Sequence, residues 1–115
     1  MQRFIRRGLL SVVAAGVLVV AGPAVAASSS CRIFPVKDTS CTTGLVAANR
    51  SKHFLYFSVS PAVNYSIRDT ETRKVVASGN SGFTVKRKTI FGLYGNGYEL
   101  TIHNPIGGAG YLSNK

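Results

Sequence analysis

The sequence predicts an all-β protein: a small antiparallel β-sandwich of about seven strands, preceded by a disulfide-clipped N-terminal segment. After Ala27, no stretch repeats apolar residues at intervals of three and four for even two turns, as an amphipathic helix would. Short runs with alternating apolar residues occur instead, and turn residues separate them at roughly 8–12-residue intervals. That spacing is typical of β-sandwiches.

The first 26 residues have the pattern of a secretory signal peptide. Three arginines precede an apolar run that ends in small residues, Ala24, Val25 and Ala26. The uninterrupted apolar run is about 15 residues, against the roughly 20 that a transmembrane helix needs. A lipoprotein anchor at Cys31 is disfavoured because serines precede that cysteine. We therefore predict a signal peptide at residues 1–26 and a secreted, extracellular protein without a transmembrane anchor after processing.

The charge of the remaining chain bounds its partners. Residues 27–115 form one small domain with eleven Lys and Arg against four Asp and Glu. A basic balance favours solubility, and it also attracts anionic partners such as a cell-envelope polymer, lipid headgroups or an acidic protein. Nucleic acid is disfavoured, because no nucleic-acid motif accompanies the charge.

The two cysteines, Cys31 and Cys41, are predicted to form a disulfide, since exported cysteine pairs are expected to oxidise. A metal site would need further ligands, and His53 and His103 do not stand at zinc-finger spacing. We therefore expect a disulfide, no metal and no cofactor.

The first predicted strand of the sandwich is "HFLYFSVS", which is apolar on both faces and is therefore expected to lie centrally between two layers. Pro61 follows, and proline cannot donate to a ladder. "VNYSIRD" is predicted as the next strand, with Val63, Tyr65 and Ile67 on its inner face. After the turn "TETR", "KVVASG" is expected to return antiparallel.

The second half of the domain is predicted to hold four more strands. "GFTVK" and "KTIFGLY" are taken as two strands with the basic cluster in the loop between them. Asn96-Gly97 predicts a tight hairpin into "YELTIHN", because both positions tolerate positive φ. In that strand Tyr98, Leu100 and Ile102 are expected to point inward. "YLS" is expected to form a last strand at a sheet edge. Most aromatic side chains are assigned to the core, with Tyr94 and Tyr111 exposed.

The cysteine segment is predicted to lie outside this core, as residues 27–41 before a β-sandwich domain of residues 42–115. "RIFPV" concentrates apolar residues around Pro35, which fixes φ and prevents full ladder pairing. Such a segment suits the groove of another protein. The predicted partner-binding residues are Arg32, Ile33, Phe34, Val36 and Lys37. An ordinary staple that holds an edge strand explains the cysteine spacing equally well.

The basic cluster Lys86, Arg87 and Lys88 has two interpretations. It is either a solvated loop or a patch that binds an anion. In the second case Arg73 and Lys74 would add to it if the two loops share an end.

Catalytic motifs are weak. Ser, His and Asp are all present, so a small secreted hydrolase stays a third hypothesis, but no G-x-S-x-G elbow accompanies His53 or His103. Asp69 and Glu71 share one turn, where acids commonly face solvent rather than each other across a sugar. We predict no catalytic residue and no enzyme activity.

"CRIFPVKDTSC" near the start and "GNGYELTIHNPIGGAGYLSN" at the end, together with the signal peptide, give the chain a familiar layout. It resembles the small secreted adaptor subunits of umbrella toxin particles, which filamentous soil bacteria make against competitors. The resemblance covers most of the chain after the leader. It implies a non-enzymatic protein that links a lectin subunit to the repeat-built stalk of a large toxin, with its N-terminal part, here Ala27 to Cys41, in a cleft of the lectin.

The resemblance gives roles to the cysteine segment. Ile33, Phe34 and Val36 would supply apolar anchors, while Arg32 and Lys37 would pair with acids of the partner. A disulfide would reduce the entropy that the segment loses on docking. The competing hypothesis is a free-standing cationic antimicrobial or cell-wall-binding protein, whose binding to anionic material falls steeply with salt.

Overall fold

The computed structural model of the protein describes residues 25–115, so the predicted signal peptide lies outside the described residues up to position 24. In the described range every regular element is a β-strand, and no helix there could span a membrane. The ten strands are β1 (Val25–Ala26), β2 (Ser28–Ile33), β3 (Ser40–Thr42), β4 (Leu45–Val46), β5 (Phe54–Val59), β6 (Asn64–Asp69), β7 (Val75–Asn80), β8 (Lys86–Phe91), β9 (Tyr98–His103) and β10 (Gly108–Ser113).

The strands form two sheets, which confirms the predicted all-β, sandwich-like class. The four-stranded sheet has the order β2-β10-β5-β8, and all its pairs are antiparallel. The six-stranded sheet has the order β1-β4-β9-β6-β7, with β3 also paired to β9. Its pairs are antiparallel except β1 with β4. Most connections cross from one sheet to the other.

The core lies between the two sheets, where the alternating apolar residues of both inner faces meet. The predicted inner positions of β6 and β9 are buried, as the alternation indicated. Gly110 of β10 faces the other sheet, and a Cβ there would stand 3.0 Å from Cδ2 of Leu100. Glycine at this position lets the sheets approach closely. The buried apolar residues are Ile33, Val46, Ala48, Leu55, Phe57, Val59, Val63, Tyr65, Ile67, Leu93, Tyr98, Leu100, Ile102 and Leu112.

The strand directions place the connections at two ends. Four connections, residues 34–39, 60–63, 81–85 and 104–107, lie at one end, which we call the loop end. The connections 47–53, 70–74 and 92–97 lie at the opposite end. The Arg73–Lys74 turn lies at the end opposite the start of β8, so the condition under which Arg73 and Lys74 would add to the basic cluster is not met.

The basic cluster is not a loop. Lys86, Arg87 and Lys88 begin β8, and the expected strand "GFTVK" is instead a turn that leads into it. Ladder pairing with β5 accounts for this, since Lys86 to Phe91 align with Val59 to Phe54 without a break.

The predicted hairpin at Asn96-Gly97 is also wrong. β8 and β9 belong to different sheets, and residues 92–97 carry the chain from one to the other. Gly92 leaves the ladder with φ 78°, and the N–H of Leu93 donates to the carbonyl of His53. β9 then pairs with β6 rather than with β8. The last strand, β10, lies in the middle of its sheet and not at an edge, because β2 covers its other side.

The cysteine segment is part of the sandwich rather than outside it. Residues 28–33 form β2, which pairs with β10 along its full length, and Ile33 is buried in the core. The Cys31–Cys41 disulfide is present, and it joins β2 of the four-stranded sheet to β3 of the six-stranded sheet. The expectation of a peripheral clip that does not tie the sheets together is therefore wrong. Pro35 prevents pairing only after β2 has ended.

Candidate functional site

The predicted partner-binding residues separate into core and surface. Ile33 is 1% exposed, so it is a core residue and not an anchor for a partner. Arg32, Phe34, Val36 and Lys37 are exposed, and the last three lie in the β2–β3 connection at the loop end. The alternation of β2 explains the split, because Ile33 points inward and its neighbours do not.

The β2–β3 connection is a closed turn. The carbonyl of Phe34 accepts the N–H groups of Lys37 and Asp38, at 3.2 and 3.0 Å. Val36 is fully exposed and has φ 75°, a left-handed conformation that is an outlier for a β-branched residue. The Cys31–Cys41 bond closes the base of the same connection. The turn therefore presents Phe34 and Val36 outward from a covalently closed base.

The four connections of the loop end are bonded to one another. The N–H of Asn104 donates to the carbonyl of Thr39 at 2.9 Å, and the side-chain amide of Asn104 donates to the carbonyl of Ala62 at 2.6 Å. The N–H of Ala62 in turn donates to the carbonyl of Gly82 at 2.8 Å. Asn104, which is buried, thus connects three of the connections, and the fourth is joined through residue 62.

Large apolar side chains are exposed on three of these connections. Phe83 is 102% exposed, Ile106 is 78% exposed and Phe34 is 55% exposed, in addition to Val36. The prediction that most aromatic residues are core is wrong here, while the exposure of Tyr94 and Tyr111 is confirmed. A groove of about 350 Å³ runs between three of the connections, lined by Arg32, Ile33, Pro35, Ser60, Ile106, Gly107, Gly108 and Ala109.

Phe83 and Ile106 were not among the site residues predicted from the sequence. Each follows a turn residue, in "SGF" and "NPI", within a stretch where few apolar residues occur. A bulky apolar side chain inside a turn has no inner face to occupy, so it is expected to point to solvent. This pattern could have identified Phe83, but "GFTVK" was predicted to be a strand, and Phe83 was therefore assigned to the core.

The basic cluster divides between the two faces of β8. Lys86 and Lys88 align with the buried Val59 and Phe57, so they stand on the inner side of an edge strand. Arg87 aligns with Ser58 and stands on the outer face of the four-stranded sheet. The three charges therefore do not form one patch, but Arg87 and Arg32 line the same outer groove of about 610 Å³.

The groups considered for catalysis are dispersed. His53 stacks on Tyr94 with ring centroids 4.1 Å apart, at the end opposite the loop end. His103 ends β9 opposite Ser40 and is exposed. In residues 25–115, neither histidine makes a side-chain hydrogen bond to a serine or a carboxylate, and no group of three His, Cys, Asp or Glu is placed to hold a metal ion. The two histidines lie at opposite ends of the molecule and do not share a site.

Buried polar groups stabilise the opposite end. Asp69 accepts the N–H of Glu71 at 2.9 Å, and the hydroxyl of Tyr98 accepts the N–H of Gly95 at 2.9 Å. Burial raises the pKa of Tyr98, and the nearby carboxylates of Asp69 and Glu71 raise it further, although the bond from Gly95 opposes them. These contacts stabilise the connections 70–74 and 92–97, and we assign them no role in binding.

Comparisons with known proteins identify no relative: no protein-family model, curated protein or solved structure matches this chain. The functional conclusion therefore depends on the geometry of the surfaces described above.

Proposed function

We propose that this protein is a secreted, non-enzymatic interaction module that holds a protein partner with its loop end and so acts as an adaptor. The observation that carries the proposal is that four exposed apolar side chains, Phe34, Val36, Phe83 and Ile106, lie at one end of the molecule, on connections that are bonded to one another. Exposed apolar residues that are concentrated on one part of a surface mark contact sites, whereas single ones scattered over a surface need no explanation.

The stiffness of the loop end supports this role. Asn104 ties its neighbours, and the disulfide closes the connection that bears Phe34. A surface that is already ordered loses little conformational entropy when a partner binds. The left-handed φ of Val36 adds support, because strained residues persist where the surrounding structure holds them and are concentrated at ligand contacts.

The chemistry of the patch suggests the kind of partner. Arg32 and Lys37 flank the apolar side chains, so a matching surface would be apolar with acidic groups at its rim. A disulfide supports an extracellular location. The resemblance to umbrella toxin adaptors makes a lectin-like subunit and a large repeat-containing toxin the partners that we propose.

Co-purification tests the proposal. The tagged protein is recovered from the culture medium of the organism that produces it, and the proteins that accompany it are identified by mass spectrometry. We expect large secreted proteins, and we expect Phe34→Ala to weaken their binding by about 2 kcal/mol, roughly 30-fold, if Phe34 is a buried anchor. The melting temperature should stay unchanged, because Phe34 is exposed.

Phe91→Ala is the matched control. Phe91 is also an exposed phenylalanine, but it lies at the opposite end of the molecule. Retained partners with Phe91→Ala and lost partners with Phe34→Ala support the loop end as the docking surface. Recovery of the wild-type protein alone at its native concentration would refute the adaptor proposal.

A free-standing cationic antimicrobial or wall-binding protein is the second candidate. It is favoured by the distribution of charge, since Asp69, Glu71 and Glu99 belong to the six-stranded sheet and its turns, whereas Arg32 and Arg87 stand on the other sheet. This candidate predicts binding to isolated cell-wall material that falls steeply with salt. Phe34→Ala should leave that binding intact.

A further inference from the structure

We infer that the outer face of the four-stranded sheet binds an acidic polysaccharide, a chain of sugar rings that carry carboxylates. The surface lies on the face of the sheet rather than among the exposed apolar side chains of the loop end, and Arg32 borders both. The inference deepens the wall-binding candidate and does not depend on the adaptor role. Its centre is the groove of about 610 Å³ that Arg32 and Arg87 line.

The register aligns the groove residues across all four strands. Tyr111 of β10 lies opposite Ser30 on one side and opposite Ser58 on the other, and Ser58 lies opposite Arg87. Arg32 is opposite Ala109, two positions along β2 from Ser30. Because β2 and β8 are the two outer strands, the strands that carry the arginines are about 14 Å apart, three strand spacings, and the arginines are also offset by two positions along the strands. A ligand that meets both must be longer than one sugar ring.

Four polar side chains of the groove are available to a ligand, whereas the hydroxyl of Ser60 accepts the N–H of Ala109. Within residues 25–115, the side chains of Ser30, Ser58, Arg32 and Arg87 make no hydrogen bond to another residue, and the ion pair found there is Arg68–Glu99 on the other sheet. Hydroxyl groups that are free on a surface can donate to and accept from the hydroxyls of a sugar. The side chains between the two arginines include small ones, those of serines and Ala109, which leave room for a ligand.

Tyr111 adds the aromatic surface that a sugar ring needs. Its side chain is 39% exposed and packs edge to face against Tyr56, with ring centroids 6.3 Å apart. The contact with Tyr56 holds the ring in place while part of it faces the groove. Tyrosine combines an apolar ring with a polar hydroxyl, which suits the mixed surface of a sugar.

The charge of the face selects an anionic chain. The four acidic residues of the sequence are Asp38, Asp69, Glu71 and Glu99, and none belongs to a strand of the four-stranded sheet. An arginine guanidinium matches a carboxylate with two parallel hydrogen bonds. Two arginines on opposite sides of a groove with hydroxyls between them therefore fit two carboxylates of one polysaccharide.

Titration with oligogalacturonate tests the inference. Binding of the purified protein to this uronic-acid oligomer is measured by calorimetry and by amide chemical shifts, with dextran and polyphosphate as comparison polymers. We expect oligogalacturonate to bind, the shifts to centre on Ser30, Ser58 and Tyr111, and Arg32→Gln/Arg87→Gln to weaken binding at least about tenfold, since each lost charged hydrogen bond corresponds to about that factor.

Arg73→Gln/Lys74→Gln is the control, because it removes the same charge from a turn of the other sheet. Binding that survives in this control, and is lost in the arginine variant and in Tyr111→Ala at unchanged melting temperature, supports the site. Equal losses in both double variants would overturn it, since the charge would then act without a defined site. Tighter binding of polyphosphate, unaffected by Tyr111→Ala, or no binding of oligogalacturonate would overturn it as well. Unchanged partner recovery in Arg87→Gln keeps this result separate from that of the loop end.

Discussion

Val36 has an unfavourable backbone conformation, although its side chain contributes nothing to the core. Its side chain is fully exposed, and its φ of 75° is unfavourable for a β-branched residue. Glycine adopts such a conformation without a steric penalty, although it loses more entropy on folding.

We therefore expect Val36→Gly to raise the free energy of unfolding by about 0.5–1 kcal/mol. The same variant should lose partner binding, because it removes an apolar side chain from the loop end. Urea denaturation measures the first effect and co-purification the second. A lower stability in Val36→Gly would show that the Val36 side chain contributes contacts that the exposed geometry does not contain.

Tyr98 is a second informative residue, because its buried hydroxyl titrates. Its raised pKa means that the folded state prefers the neutral phenol more strongly than the unfolded state does. The stabilisation is therefore fully present below the unfolded pKa, about 10, and is lost as the pH rises through the folded pKa.

We expect the free energy of unfolding to fall with rising pH above about pH 10, and Tyr98→Phe to remove part of that fall. At neutral pH the variant should be less stable by about 1 kcal/mol, since the N–H of Gly95 loses its acceptor. Urea unfolding at several alkaline pH values measures both effects. Tyr94→Phe, a change at an exposed tyrosine, is the control, and an identical pH slope in wild type and Tyr98→Phe would contradict the assignment.

At the scale of elements, the disulfide joins strands of different sheets. Cys31 and Cys41 are ten residues apart and pack against the core. Closing a loop of this length lowers the entropy of the unfolded chain, which corresponds to about 2–3 kcal/mol of stability.

Reduction should therefore lower the free energy of unfolding by about 2–3 kcal/mol while the β-sheet spectrum persists in water. Guanidinium denaturation with and without reductant measures the change. The reductant should have no effect on Cys31→Ala/Cys41→Ala, which serves as the control. An unchanged midpoint in the wild-type protein would contradict a stabilising role of the disulfide.

β8 begins with the basic cluster, for which the sequence allowed two interpretations. It is an outer strand of its sheet, and two of its lysines protect its free edge. Lys86 and Lys88 occupy inner-face positions of this outer strand, and inward-pointing charges discourage pairing with a second sheet.

We expect Lys86→Val/Lys88→Val to increase self-association, because the strand edge would become apolar and free to pair. Size-exclusion chromatography over a range of concentrations detects the change. The control, Lys74→Val/Lys115→Val, removes the same charge away from this edge and should remain as the wild type does. A double β8 variant with an unaltered elution volume would refute the protective role.

At the scale of the whole molecule, residues 27–41 belong to the sandwich. Their removal would take away β2, expose the side of β10 that β2 covers, and delete Ile33 from the core. The remaining residues are therefore not expected to fold alone.

We therefore expect deletion of residues 27–41 to abolish cooperative thermal unfolding. Ile33→Ala should lower the free energy of unfolding by about 2–5 kcal/mol, whereas Phe34→Ala should change it little, because adjacent residues face the core and the solvent. Circular dichroism during heating measures all three variants. A sharp thermal transition in the deletion variant would restore the view that the segment is separate from the core.

Local patterns in the sequence were sufficient to predict several strands and their buried residues. Alternation along β6 and β9 identified Tyr65, Ile67, Leu100 and Ile102 as inner residues, because side chains in a strand point to opposite faces in turn. The disulfide was also predictable, because the sequence contains only two cysteines. For the candidate site, Phe34, Val36 and Lys37 were found because apolar residues surround a proline.

Other features depend on which strands pair with each other, and only the tertiary structure reveals those pairings. Asn96-Gly97 would suit a hairpin, yet residues 92–97 cross between sheets, since β9 gains a full ladder with β6. "SSSCRI" has no apolar alternation of its own, and it becomes a strand because β10 offers its backbone groups along six residues. The grouping of Phe83 and Ile106 with Phe34, and of Arg32 with Arg87, likewise follows from pairings between distant segments. Local sequence cannot specify these neighbours, because the hydrogen bonds that create them form only when the sheets assemble.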